Sequence, residues 1–110
     1  MEVKKVIKMA LYKVLVTVKE IEGNCPVYKI GDKILLEGYY IKSSKSANIC
    51  IHAFASMISL LSAFSHGSSA KDLGIGEKDD EGVLQCSDPG PPYTKGGRVI
   101  FSLKRLERVK

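Results

Sequence analysis

One uncharged stretch, Ser46 to Ala70, constrains the fold of this chain more than any other feature. Within it Cys50, Phe54, Met57, Ile58, Leu61 and then Phe64 or Ser65 recur at the spacing of one helix face. Asn48 is placed to cap the start, its side-chain oxygen accepting a backbone N–H. Gly67 suits the left-handed position beyond the last turn, and His66 can complement the carbonyl end. A helix over about 49–66 follows. Its apolar run, Ile49 to Phe64, is too short to cross a bilayer and is interrupted by His52, Ser56, Ser59 and Ser62. Another part of the protein must therefore cover it.

The flanking segments read as that cover. In Tyr12 to Ile21, Tyr12, Val14, Val16 and Val18 fall on one side, and Lys13, Thr17 and Lys19 on the other. Glu22-Gly23-Asn24-Cys25-Pro26 breaks this strand. Gly31-Asp32 turns the chain into Lys33 to Leu36, and Glu37-Gly38 reverses it into Tyr39 to Ile41, a short hairpin. Val83 to Cys86 is a short strand. Arg98 to Leu106 is the last, with Val99, Phe101 and Leu103 alternating against Ile100, Ser102 and Lys104.

The expected class is α+β: a mainly antiparallel sheet of four or five strands, curved or partly closed toward a small barrel, covered by one helix. Residues 1–110 form a single domain, with 68–82 and 87–97 as surface loops. Residues 1–10 are an extension in which Val3, Val6, Ile7, Ala10 and Leu11 recur at helical spacing, and Met9 is an alternative start. A hydrophobic fraction of 45% and a charged fraction of 26% are globular values. With no Trp and eight Tyr and Phe together, aliphatic side chains must supply most of the core.

The cysteines carry most of the chemical potential. Cys25, Cys50 and Cys86 each fall where an element begins or ends. A helix start favours negative charge, which marks Cys50 as a candidate reactive thiol. If the three ends converge, three thiols and His52 make a ligand set for zinc or an iron–sulfur cluster. Paired spacings such as C-x-x-C, by which metal sites usually show themselves, are absent, and free cysteine is often simply a small buried hydrophobe. Structural thiols with no cofactor are thus the first expectation, and a metal or redox role the alternative. An odd number of cysteines and no apolar leader point to the cytoplasm.

The same residues carry a family resemblance. Cys25-Pro26-Val27-Tyr28-Lys29-Ile30-Gly31-Asp32, Cys50-Ile51-His52-Ala53 and Cys86-Ser87-Asp88-Pro89, the last followed by Val99-Ile100-Phe101-Ser102-Leu103, resemble the three signature blocks of a family of small uncharacterised prokaryotic proteins. The likeness spans roughly residues 12–109. The chain departs from the pattern at Val27, where Gly is usual, at Ile51 and Ser87, where Pro is usual, and in an added loop around Pro91 to Gly97. That family has no established activity, so the resemblance implies a chain organisation and an interest in the cysteines only.

The remaining motifs imply little chemistry. Asp79-Asp80-Glu81 read as solvated loop acids, Asp32 and Asp88 as turn residues, and Gly74-Ile75-Gly76 lacks the context of a dinucleotide fingerprint. The formal charge of +5 places Lys13, Lys19, Lys104 and Arg105 as a candidate anion-binding face, with Arg108 alongside. No aromatic residues alternate with them as stacking platforms, so nucleic acid is not the expected partner. A helix without charge on either face is a surface that a second copy can cover, and a homodimer through it is expected. A small cytoplasmic binding or assembly module, rather than an enzyme, is the resulting expectation.

Overall fold

The computed structural model describes residues 10–109; the helical spacing of residues 3–7 and the alternative start at Met9 lie outside the described residues. The elements are β1 (Tyr12–Gly23), β2 (Lys33–Glu37), β3 (Tyr40–Ile41), a single 3-10 turn (Ser43–Lys45), α1 (Ile51–Ser65), β4 (Glu81–Gln85) and β5 (Gly97–Arg108). They form one open antiparallel sheet in the order β3-β2-β1-β5-β4, with α1 on one face. This is the expected α+β architecture, left unclosed rather than curled into a barrel.

The long central pair explains the order. β1 and β5 run antiparallel from Tyr12↔Arg108 to Gly23↔Gly97, so both ends of the chain enter the sheet as neighbours. Irregularities in register near Tyr12 and Val18 add local twist. Alternation puts Val14, Val16 and Val18 of β1 and Val99, Phe101 and Leu103 of β5 under the helix, each at most 2% exposed. From α1 come Ala53, Met57, Leu61 and Phe64, equally buried. Each large side chain buried here contributes roughly 1.5–3 kcal/mol.

The helix differs from its expected form in two respects. Asn48 does not cap it. Cys50 takes the N-cap position with extended backbone, and no side chain caps the start. The buried face is also rotated: Ala53 goes down, Phe54 is half-buried, and Ile58 stands 45% exposed. With no charge on either face, only the shape of the sheet decides which residues turn inward. At the far end the sequence signals hold: His66 is the C-cap, with its Nδ1 2.8 Å from the Ser62 carbonyl oxygen, and Gly67 has φ +108°.

Arg105 corrects a further expectation. It does not belong to a solvated basic face. Continuing the inward alternation of β5, its side chain is 6% exposed. It donates to the carbonyls of Phe64 (2.8 Å), Ser68 (2.7 Å) and Asp79 (2.9 Å) and to Asp80 Oδ1 (2.7 and 3.0 Å). Its guanidinium also lies over the rings of Phe64 and Tyr12. One residue thereby ties the helix end, the 68–82 loop and β5 together.

Candidate thiol site

The opposite end of the sheet is where β1 leaves, β4 leaves, β5 enters and α1 begins. Each of these transitions carries a cysteine or faces one. Cys25 follows β1 by two residues, Cys50 is the helix N-cap, and Cys86 immediately follows β4. All three line a single half-enclosed cavity of about 470 Å³. The three cysteine-bearing ends, whose meeting the sequence left as a condition, thus lie around one cavity. All three are free.

Tyr28 joins two of the three segments. Its ring packs edge-on against Phe101, with centroids 5.4 Å apart and planes at 87°. Its backbone N–H donates to Cys25 Sγ at 3.3 Å, while its hydroxyl oxygen accepts the Cys50 N–H at 2.9 Å. The phenol therefore anchors the start of α1 in place of a capping side chain. Burial pushes its pKa above the ordinary tyrosine value; the Cys50 N–H bond opposes this, and Cys50, Cys25 and Asp32 add to it when charged. The hydroxyl keeps its proton at neutral pH.

Cys86 is held differently. It is 8% exposed, its sulfur accepts the Val99 N–H at 3.3 Å, and the carbonyls of Asp88 and Gly97 lie 3.6 Å away. Gly97, at the cavity edge, has no room for a side chain, since a Cβ there would lie 2.8–3.0 Å from the Asn24 backbone. Asp88, also on the wall, is a turn residue as expected: its Oδ1 accepts from the Gly90 N–H at 2.9 Å and from the Thr94 hydroxyl. These bonds, the Thr94 one foremost, hold its carboxyl below the ordinary range. The lining includes Asp88 but neither Lys nor Arg.

His52 lies in the first turn of α1, exposed at the cavity wall. It and the three thiols share one cavity, yet among the described residues no three His, Cys, Asp or Glu side chains are grouped as metal ligands. The thiols thus line a wall without closing on a common point.

The basic candidates lie elsewhere. Lys13 makes ion pairs with Glu37 and Glu107. Lys19 and Lys104 border a shallow cleft that Glu77 and Glu81 also line, so its charge is mixed. Asp80, read as a solvated acid, is the carboxylate that receives Arg105. The role of Tyr28 was not legible from the cysteine pattern, although its place three residues after Cys25 is the local signal.

Comparison with known proteins adds no relative: no protein-family model, no curated protein and no solved structure matches the chain. Among the described residues no helix is long and apolar enough to cross a membrane.

Proposed function

We propose that this chain is a small binding module whose working surface is the three-thiol cavity. The observation that supports this most is the delivery of Cys25, Cys50 and Cys86 to one cavity by segments far apart in sequence. Cys86 is chiefly structural, given its burial and its contacts, whereas Cys25 and Cys50 are half-exposed and face the space. Free thiols accord with a reducing compartment such as the cytoplasm. The likeness of the three cysteine blocks to a small prokaryotic family is consistent with a site at these residues. Zinc or an iron–sulfur cluster is the alternative occupant on thiol chemistry alone, although no three ligands are grouped for either among the described residues.

Phenylarsine oxide, whose trivalent arsenic bridges neighbouring thiols, tests the reading. The folded chain is expected to retain one equivalent against excess monothiol, and a chain keeping only one of the three cysteines is expected to retain none. Release of the arsenical from the intact chain at the rate seen for a single-cysteine variant would overturn the proposal.

A second reading, self-association through α1, rests on a different observation. Ile51 (75%) and Ile58 (45%) are exposed on a helix without a charged side chain, and Tyr39 (85%) and Tyr40 (57%) stand exposed beside it on the β2–β3 hairpin. Ile58, Tyr39 and Tyr40 line a groove of about 310 Å³ with Phe54. Light scattering at high concentration is expected to give twice the chain mass, and Ile58→Glu the single chain mass. A single-chain mass for the unaltered protein at every concentration would exclude it.

A further inference from the structure

Where β1 begins, the sheet runs out of partners. The Leu11 carbonyl accepts the Val109 N–H at 2.8 Å, β5 ends at Arg108, and β2 ends at Glu37 and turns away at Gly38. Among the described residues no strand is left to pair with residues 1–9. Their sequence favours an apolar neighbour instead. At helical spacing Val3, Val6 and Ile7 share one side with Ala10, and Lys4, Lys5 and Lys8 fall on the other. A stretch this short does not hold a helix in water by itself, so a pattern of this kind is stabilised only against a surface.

The groove between α1 and the β2–β3 hairpin opens beside the same point. Its lining contains no Asp, Glu, Lys or Arg, and Ile58, Tyr39 and Tyr40 stand exposed along it. Both of its walls meet the chain at residues 11 and 12. On the hairpin side, a Cβ on Gly38 would lie 3.6 Å from the Leu11 side chain. On the helix side, a Cβ on Gly67, the residue after His66, would lie 3.6 Å from the Tyr12 ring. Along α1 the lining runs from His66 back to Phe54, about 18 Å at the helical rise. Residues 1–9 span about 14 Å if coiled and about 30 Å if extended, so from this entry they reach most or all of it.

We propose that residues 1–9 fold back over this groove, laying Val3, Val6 and Ile7 against Phe54, Ile58 and Tyr40 and turning the lysines to solvent. The occupant is the chain's own beginning because that segment starts at the mouth of the groove and matches its uncharged lining on one side only. The thiol cavity, lined by other residues, is not involved. Ile51, Ser56 and Ser59 lie outside the lining, so that side of α1 stays open to a second copy.

Limited trypsin digestion of the folded full chain tests this. Cleavage after Lys4, Lys5 and Lys8 is expected to be about tenfold slower than in a variant carrying Val6→Ser and Ile7→Ser, because the docked segment must lift before it is cut. Ile58→Glu, on the groove, is expected to speed cleavage to a similar extent, and Ser59→Glu, off the groove, to leave it unchanged. In an NMR sample mixing labelled and unlabelled chains, cross-peaks from the Val6 and Ile7 methyls to the Phe54 and Tyr40 rings are expected within single chains. Equal cleavage of the unaltered chain and the double-serine variant would overturn the proposal. Cross-peaks found only between labelled and unlabelled chains would overturn it too, and would assign the groove to a second copy.

Discussion

Replacing Arg105 by alanine is expected to destabilise the domain by about 2–4 kcal/mol, which for a chain of this length lowers the unfolding temperature by roughly 8–24 °C. The reason is not the ion pair itself, since Asp80 is largely exposed. The guanidinium satisfies three backbone carbonyls, of Phe64, Ser68 and Asp79, that otherwise end α1 and cross the 68–82 loop. Removing it leaves the Ser68 carbonyl to solvent, takes the second donor from the Phe64 and Asp79 carbonyls, which also accept from the Gly67 and Ala70 N–H groups, and uncovers the Phe64 ring, whose centroid the guanidinium faces at 4.6 Å. Lysine keeps the charge but has no planar fork, so Arg105→Lys is expected to recover less than half of the loss. Urea unfolding of the two variants checks both statements. A change below about 1 kcal/mol for alanine, the range of an exposed ion pair, would show that this network does not hold the helix end.

Phe101→Ala should be comparably severe, at about 3–5 kcal/mol. The ring is fully buried at the middle of β5, in register with Val18 on one side and Leu84 on the other. It is also the surface on which Tyr28 leans. Its removal therefore leaves a cavity in the core and frees the phenol that holds the Cys50 N–H. Thermal unfolding reports the first effect. Faster native-state alkylation of Cys50 reports the second. As a contrast, Ile58→Ala is expected to cost less than about 1 kcal/mol, because that side chain stands 45% exposed.

That contrast marks where the sequence was legible and where it was not. The alternation of Val14, Val16 and Val18 and of Val99, Phe101 and Leu103 is decisive for a sheet with one covered face, and those residues are indeed the inner ones. The helix is equally plain, but its rotation is not. Amphipathic helices reveal their orientation through charges on the wet face, and α1 has none, so Ile58, expected on the buried stripe, stands exposed, and Ala53, outside that stripe, is buried. Arg105 was hidden by its company. Among the basic residues of the last segment it looks like one more solvated charge, yet it lies two positions after Leu103 on the inward side of the same strand. The alternation carried the signal and the charge masked it.

The thiol cavity was legible only as a conditional. Element ends could be assigned to Cys25, Cys50 and Cys86 from turns and caps, but whether those ends meet depends on strand order, which no local pattern specifies. The pairing of Gly23 with Gly97 settles it by bringing the exit of β1 to the entry of β5. Tyr28 then completes the site by a contact across 22 residues. A cap expected from Asn48 is replaced by this long-range bond, because α1 begins two residues later than its pattern suggests.

The meeting of these remote sulfur-bearing segments is most directly examined by proton NMR of the reduced chain in solution. Cross-peaks between the Tyr28 ring and the Cys50 amide, together with contacts from the Val99 amide to the Cys86 methylene, are the predicted result. A well-formed helix over Ile51–Ser65 with no Tyr28–Cys50 cross-peak would contradict the account, since α1 would then begin away from the exit of β1.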